Sequence, residues 1–183
     1  MRKEFRLAGE GGQGLITAGI ILASAAAEHT PLNAVQSQSY GPESRGGASK
    51  ADVIISDQEI DYPEVKSPHY MVVMAQEACD KYVPAVAPGG TVIVDTTYVK
   101  SVPQVDAKII SYPISEKARE LGREIVANIV ALGLLVGTTE VVPADAVLSS
   151  VLARIPKGTE ELNKKAFQVG LDAAKEVLGG EIR

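Results

Sequence analysis

Short, strongly apolar segments recur along the chain and restrict the folds that it can adopt. Five of them occupy residues 5–8, 53–55, 70–75, 92–94 and, more weakly, 108–111. Continuous runs of this length, rich in β-branched residues, are typical of strands buried on both faces of a parallel sheet. The strict alternation of polar and apolar residues that marks a one-sided antiparallel sheet is mostly absent. Residues 33–39 predict a further extended segment.

Helical patterns lie between and after these runs. They cover residues 15–28, 76–87, 115–122 and 124–137, with two more helices that open at Pro143 and at Thr159. An order of strand, helix, strands, helix, strand and then helices describes an α/β layered domain. The chain has no linker long enough to divide it. The sequence therefore predicts one three-layer, Rossmann-like α/β domain over residues 1–183, with a mostly parallel central sheet.

Charge and cysteine content exclude several classes of protein. The net charge is −5, from 18 basic and 23 acidic residues, and a chain without a basic run is a poor nucleic-acid binder. The lone cysteine, Cys79, excludes an internal disulfide, a cysteine-ligated zinc site and an iron–sulfur cluster held by this chain alone. The two histidines leave little material for a metal site. We therefore expect no metal on this chain.

No segment of the sequence predicts insertion into a membrane. The most apolar run, residues 125–136, is shorter than the roughly 20 residues that a helix needs to cross a bilayer. The charged start of the chain is followed by glycine-rich sequence instead of the apolar core of a secretion signal. We expect a cytoplasmic protein without a membrane partner.

A glycine-rich motif follows the first predicted strand and opens the first predicted helix. It reads Gly9-Glu10-Gly11-Gly12-Gln13-Gly14 and matches G-x-G-x-x-G in the context that the motif requires. Glycines allow a sharp turn and a close approach of a ligand, while the helix N-terminus offers free N–H groups and a positive dipole end. The pattern favours an anion at this position.

Two interpretations of this loop remain open. A dinucleotide site needs an acidic residue about 20 positions later, at the end of the second strand, and residues 36–39 contain none. Alternatively, the glycines only permit tight packing of strand against helix, with no ligand. The Walker pattern is absent, and so is the Gly-Asp-Gly motif that anchors thiamine diphosphate through magnesium.

A second unusual segment follows the predicted extended segment. Its glycines predict two closely spaced turns around one carboxylate and one guanidinium, and a guanidinium is suited to clamp a phosphate or carboxylate. The alternative is a solvated surface turn. The candidate residues here are Tyr40, Gly41, Pro42, Glu43, Arg45, Gly46 and Gly47. Because two such loops occur in one small domain, we expect a shared ligand or partner surface.

Taken together, the two glycine loops resemble those of the gamma subunit of 2-oxoacid:ferredoxin oxidoreductases. The resemblance continues through residues 51–56, the methionine-containing strand near residue 71, and residues 89–95, and so covers nearly the whole chain. Members of this family act on pyruvate, 2-oxoglutarate, 2-oxoisovalerate or indolepyruvate. The resemblance favours the 2-oxoglutarate type and implies the fold of the gamma domain of pyruvate:ferredoxin oxidoreductase.

The resemblance implies an enzyme subunit without a complete active site of its own. The holoenzyme converts a 2-oxoacid and coenzyme A into acyl-CoA, carbon dioxide and reduced ferredoxin. Thiamine diphosphate, magnesium and iron–sulfur clusters are expected on alpha, beta and delta partner subunits in a hetero-oligomer. The two loops would form one anion-accepting surface that contacts the coenzyme A diphosphate or a neighbouring subunit.

Two other classes of function stay open on sequence grounds. One is a stand-alone Rossmann-type nucleotide-binding module, and the other is a purely structural subunit without a ligand. Smaller signals are expected to be structural: Cys79 as a buried small side chain, Asp95 as a cap for the next segment, and residues 125–136 as core, with an interface to another subunit as the less favoured interpretation.

Overall fold

The computed structural model describes residues 1–39 and 47–180. Its strands and α-helices follow one another in the predicted alternation. The strands are β1 (Arg2–Glu10), β2 (Asn33–Ser39), β3 (Ala48–Ser56), β4 (Tyr70–Val73), β5 (Gly90–Asp95) and β6 (Ala107–Tyr112). The helices are α1 (Leu15–His29), α2 (Gln76–Tyr82), α3 (Ile114–Glu120), α4 (Ala127–Thr139), α5 (Ala144–Arg154) and α6 (Glu160–Gly180), with 3₁₀ turns at Val83–Ala85 and Glu124–Val126.

One six-stranded sheet has the order β2-β3-β1-β4-β5-β6. The strands β1, β4, β5 and β6 are mutually parallel, whereas β3 runs antiparallel to both of its neighbours, β1 and β2. The prediction of a mostly parallel sheet is confirmed. The reversed β3 is explained by chain length, since residues 40–47 are too few for the crossover that parallel neighbours need.

Helices cover both faces of the sheet, as the continuous apolar runs predicted. Along β4, Val72 enters a large core that also contains α1, α4, α5 and α6, while Met71 and Val73 enter a smaller core against α2. Successive side chains of a strand point to opposite faces, so a run without polar residues has to be buried on both. The three-layer architecture follows from this division.

Two helix boundaries differ from the sequence prediction. Helix α2 ends at Tyr82 instead of continuing to residue 87, and Pro84 lies in the 3₁₀ turn that follows it. Proline cannot donate the backbone hydrogen bond that a continued α-helix would need. The apolar segment from residue 124 begins as a 3₁₀ turn, and regular α-helix starts only at Ala127. None of the helices in the described ranges is long and apolar enough to cross a membrane.

Helices α4 and α6 approach each other at glycines. A Cβ atom added at Gly170 would lie 2.2 Å from the Val130 carbonyl oxygen, and one at Gly133 would lie 2.3 Å from the Phe167 carbonyl oxygen. These distances are far shorter than a van der Waals contact. The absence of a side chain at both positions therefore sets the spacing of the two helices, and with it the packing of the large core.

A histidine joins the start of β1 to the start of β4. His69 Nδ1 accepts a hydrogen bond of 2.9 Å from the Glu4 backbone N–H, which requires that Nδ1 carries no proton. Burial, followed by the charge of Lys3, lowers the pKa of His69, while Glu4 opposes the shift. The neutral imidazole is thus the form that the folded chain stabilises.

This histidine predicts a dependence of stability on pH. Its pKa is lower in the folded chain than the value near 6.5 of an unfolded chain, so the unfolded chain binds the proton more readily. The free energy of unfolding should therefore fall as the pH drops below about 6.5. We expect His69→Asn to lose less stability than wild type between pH 7.5 and pH 5.5 in urea unfolding. The same change at the exposed His29 controls for loss of an imidazole, and equal pH dependence of wild type and His69→Asn would contradict the prediction.

Candidate functional site

The first glycine loop has the backbone that its sequence predicted. Strand β1 ends at Glu10, and Gly12 and Gly14 take φ angles of 91° and 77°, a region that disfavours residues with a Cβ. Gly14 immediately precedes α1, and no side chain in residues 1–39 or 47–180 caps that helix. The first amide groups of α1 consequently have no partner within the helix.

The Gln13 side chain fixes the loop against the sheet. Its Oε1 accepts a hydrogen bond from the Glu10 N–H (2.8 Å), and its Nε2 donates one to the Met74 carbonyl oxygen beyond β4 (3.0 Å). A Cβ at Gly9 would lie only 2.2 Å from that Oε1 atom. Gly9 is therefore required by the side chain that ties the loop down, and part of the motif serves packing.

Asn128 on α4 holds the other end of the loop. Its Nδ2 donates to the Gly14 carbonyl oxygen at 3.1 Å and would lie 2.6 Å from a Cβ at Gly14. Sequence reasoning missed this residue, which stood out only as the single amide within an apolar run. That interruption is the signal that could have identified it, because an amide within an apolar, largely buried helix needs a polar partner.

A cleft of about 580 Å³ opens beside the glycine loop, at the carboxyl ends of β1 and β4. This is the edge at which open α/β sheets bind ligands. Its lining residues are Glu10, Gly11, Gly12, Gln13, Met74, Ala75, Gln76, Glu77, Tyr98, Ser115, Glu124, Ile125 and Ala127. Within the part of the chain that the structure describes, this lining contains three carboxylates and no lysine or arginine.

The negative charge of one of these carboxylates, Glu124, is balanced by an arginine. The Tyr98 hydroxyl donates to Glu124 (2.5 Å), and Arg119 forms an ion pair of 2.6 Å with Glu124 while also donating to the Tyr98 hydroxyl. The hydrogen bond from Tyr98 and the charge of Arg119 lower the pKa of Glu124. The same contact with Glu124 raises the pKa of Tyr98. Glu124 is accordingly ionised, and its charge is compensated by Arg119 within a cluster that also contains Tyr98.

Asp95 has the capping role that the sequence favoured. Its Oδ1 accepts hydrogen bonds from the N–H groups of Thr97 (3.1 Å) and Ser115 (3.3 Å), and its Oδ2 accepts one from the Ser115 hydroxyl (2.6 Å). The buried carboxylate thereby joins the end of β5 to the first turn of α3. Asp95 thereby positions Ser115, which lines the cleft.

The candidate residues of the first loop lie beside the cleft, and three of them, Gly11, Gly12 and Gln13, line it. Gly47 is half-buried and leads directly into β3. Tyr40, Gly41, Pro42, Glu43, Arg45 and Gly46 lie outside the described residues. The pairing of Ala48 with Glu10 places the start of β3 beside the first loop.

The strand order argues against a dinucleotide-binding module. In that fold the strand after the first helix lies beside β1, parallel to it, and ends in the carboxylate that binds the ribose. Here β2 follows α1, but the antiparallel β3 separates it from β1. The place beside the glycine loop is taken by Ala48, at the amino end of a strand.

Cys79 is a structural residue, as the sequence indicated. It is fully buried on α2, and burial raises the pKa of its thiol to about 11. At neutral pH the thiolate population is negligible, so the residue is a poor nucleophile. Among residues 1–39 and 47–180, no group of three His, Cys, Asp or Glu side chains is placed to hold a metal ion.

Comparison with known proteins identifies the family. The family model for pyruvate ferredoxin/flavodoxin oxidoreductase matches residues 4–173. The chain belongs to this family. It is 48% identical over 180 residues to the 2-oxoglutarate synthase subunit KorC of Methanocaldococcus jannaschii, covering 97% of this chain and 96% of that protein. The corresponding subunit of Methanothermobacter marburgensis is also 48% identical, over 96% of this chain and 98% of its own length.

A solved structure supports the same assignment. The keto/oxoacid ferredoxin oxidoreductase gamma subunit from Geobacter sulfurreducens superimposes with a TM-score of 0.89 at 46% identity, over 96% of this chain and 98% of that one. The gamma-subunit family and the fold expected from the two glycine motifs are thereby confirmed.

Proposed function

We propose that this chain is the gamma subunit of a 2-oxoacid:ferredoxin oxidoreductase that acts on 2-oxoglutarate. The observation that carries the proposal is the 48% identity to a 2-oxoglutarate synthase subunit over nearly the full length of both chains. The proposal treats residues 1–183 as one gamma domain and places the complex in the cytoplasm.

In the proposed complex, coenzyme A and 2-oxoglutarate yield succinyl-CoA and carbon dioxide. The electron pair left by decarboxylation passes to ferredoxin. Thiamine diphosphate, magnesium and iron–sulfur clusters belong to alpha, beta and delta subunits in this proposal. Two features of the chain support that division. Its single cysteine is buried on α2, and its sequence lacks the Gly-Asp-Gly motif that anchors thiamine diphosphate through magnesium.

Assembly with activity is the direct test. We expect co-expression of all subunits to give 2-oxoglutarate-dependent, coenzyme A-dependent ferredoxin reduction, with slower turnover of pyruvate and 2-oxoisovalerate. Omission of this chain should abolish the activity while the other subunits remain soluble. Full activity without it, or its recovery only as a free protein in cells that make such an oxidoreductase, would refute the proposal.

The glycine loop and the 40–47 segment provide, in this proposal, one surface for an anionic group of coenzyme A or of a neighbouring subunit. Support comes from the uncapped first turn of α1 after Gly14 and from the short distance between the start of β3 and Glu10. The carboxylates of the cleft disfavour a diphosphate inside it. We therefore place the anion at the start of β3, next to Glu10, and infer that Arg45 contributes its charge there.

Arg45→Ala tests this surface. A charge-assisted hydrogen bond contributes about 1.5–3 kcal/mol, so we expect the KM for coenzyme A, or the dissociation constant of the subunit from the complex, to rise at least about tenfold. Lys165→Ala, an exposed position on α6, is the control and should leave both unchanged. Unchanged kinetics and assembly in Arg45→Ala would eliminate the anion surface but leave the family assignment intact.

A further inference from the structure

A second hollow neighbours the cleft and shares one lining residue, Ile125, with it. It encloses about 210 Å³ where α1, the Glu124–Val126 turn and the link between α5 and α6 meet. Its floor is apolar and includes Ile21, Val126, Ile129 and Leu162. Two exposed guanidinium groups, those of Arg123 and Arg154, belong to the same lining. We call this site the arginine hollow.

The two arginines that line this hollow differ from the other described arginines in their ion pairing. Three of the five arginines in the described ranges form ion pairs: Arg2 with Glu4, Arg6 with Asp52 and Arg119 with Glu124. The remaining two, Arg123 and Arg154, form no ion pair with any carboxylate of the described residues, and both line the arginine hollow. In a chain with a net charge of −5, two unpaired cations around one apolar depression indicate a complementary acidic group from outside.

An exposed isoleucine lies at the edge of the same site. Ile125 is 67% exposed, the largest value among the large hydrophobic residues in the described part of the chain. It lines both the arginine hollow and the cleft beside the glycine loop. The sequence favoured core for residues 125–136, with an interface to another subunit as the alternative. Val126 and most of the helix after it are buried, whereas Ile125 is exposed and available for an intermolecular contact.

We propose that the arginine hollow docks a partner-subunit segment that presents a carboxylate next to an aliphatic side chain. The carboxylate bridges Arg123 and Arg154, and the aliphatic group fills the apolar floor beside Ile125. This inference rests on the proposed function, because it takes the occupant to be a subunit of the same oxidoreductase. Bidentate guanidinium–carboxylate pairs and an apolar anchor in a pocket are the contacts that dominate stable interfaces.

The size and charge of the arginine hollow favour a protein side chain over other occupants. Its volume of about 210 Å³ is below the range of about 300–1,000 Å³ typical of small-molecule sites. A second copy of this chain would bring another net charge of −5, which repels the first. A single side chain of a partner subunit fits the small volume, and one carboxylate placed between the arginines is attracted to them.

The test measures binding of the full chain to the complex of the remaining subunits. In the double variant Arg123→Glu with Arg154→Glu, like charges face the partner, and we expect the dissociation constant to rise at least about a hundredfold. Ile125→Ser should raise it about tenfold, and Arg123→Ala with Arg154→Ala should reduce the salt dependence of binding. The control reverses two exposed lysines of α6, Lys165→Glu with Lys175→Glu, and should change the constant less than threefold.

The outcomes separate this inference from the proposed function. Wild-type binding together with unchanged binding of the arginine variants, all with wild-type unfolding midpoints, would overturn the docking surface alone. Failure of the wild-type chain to bind the other subunits would overturn both. Self-association of the wild-type chain that the arginine variants abolish would show a second copy as the occupant and would also overturn the inference.

Discussion

Gly170→Ala is expected to lower the free energy of unfolding by about 3 kcal/mol, the upper end of the usual cost of overpacking. The added Cβ would lie 2.2 Å from the Val130 carbonyl oxygen and 2.6 Å from the Leu134 backbone nitrogen, both on α4. Backbone atoms cannot rotate away as a side chain can, so α4 and α6 would have to separate. For a chain of 183 residues we expect a fall in the melting temperature of roughly 6–12 °C.

Gly179→Ala is the matched control for this change. It lies on the same helix, and a Cβ there would meet no atom within 4 Å. Because alanine is a better helix former than glycine, this substitution should leave stability unchanged or raise it slightly. Similar melting temperatures for the two variants would show that α4 and α6 can separate at little cost, and would contradict the packing argument.

Asp52→Asn is expected to cost about 3–5 kcal/mol of stability, because it leaves a buried guanidinium without its counter-charge. Asp52 Oδ1 accepts from Arg6 Nε at 2.8 Å, and Oδ2 accepts from Arg6 Nη2 (3.2 Å) and from Lys50 Nζ (2.8 Å). The side chains of Arg6 and Asp52 are each only 7% exposed. In the variant two cations would face a neutral amide in a site with little water.

Two comparisons isolate the effect of burial in this pair. Asp57→Asn removes an exposed ion pair with the N-terminal ammonium group and should change the unfolding midpoint little. Arg6→Met combined with Asp52→Leu removes both buried charges, and we expect it to recover much of the stability that Asp52→Asn loses. Denaturant unfolding of the variants measures all three. A small loss in Asp52→Asn would mean that water reaches Arg6.

Much of the fold could be predicted from local sequence. The apolar runs located the strands because strands buried on both faces need uninterrupted apolar side chains, as in Met71, Val72 and Val73. The loop from Gly9 to Gly14 was recognisable because its glycines lie between a strand and a helix. The motif also identified the family, since both glycine loops occur in the right order.

The contacts that complete the candidate site were not predictable in the same way. Asn128 is 114 positions from Gly14, and its hydrogen bond to the Gly14 carbonyl exists only once α4 packs beside α1. Arg123 and Arg154 carry no pattern in the sequence, yet they line one hollow. The carboxylates of the cleft come from β1, α2 and the turn before α4. Each of these groups combines residues that are far apart in the chain, so no periodic pattern in the sequence predicts that they meet.

The sequence by itself determined the alternation of strands and helices, the glycine turn before α1 and the family, because each is recognisable from short segments and their order along the chain. Only the tertiary structure decided that β3 runs antiparallel between β1 and β2, which argues against the dinucleotide site that the glycine motif alone permits. Strand order and helix spacing are set by the packing of distant surfaces, such as that of Gly133 against Phe167. Such packing minimises the free energy of the whole chain, and no local segment encodes it.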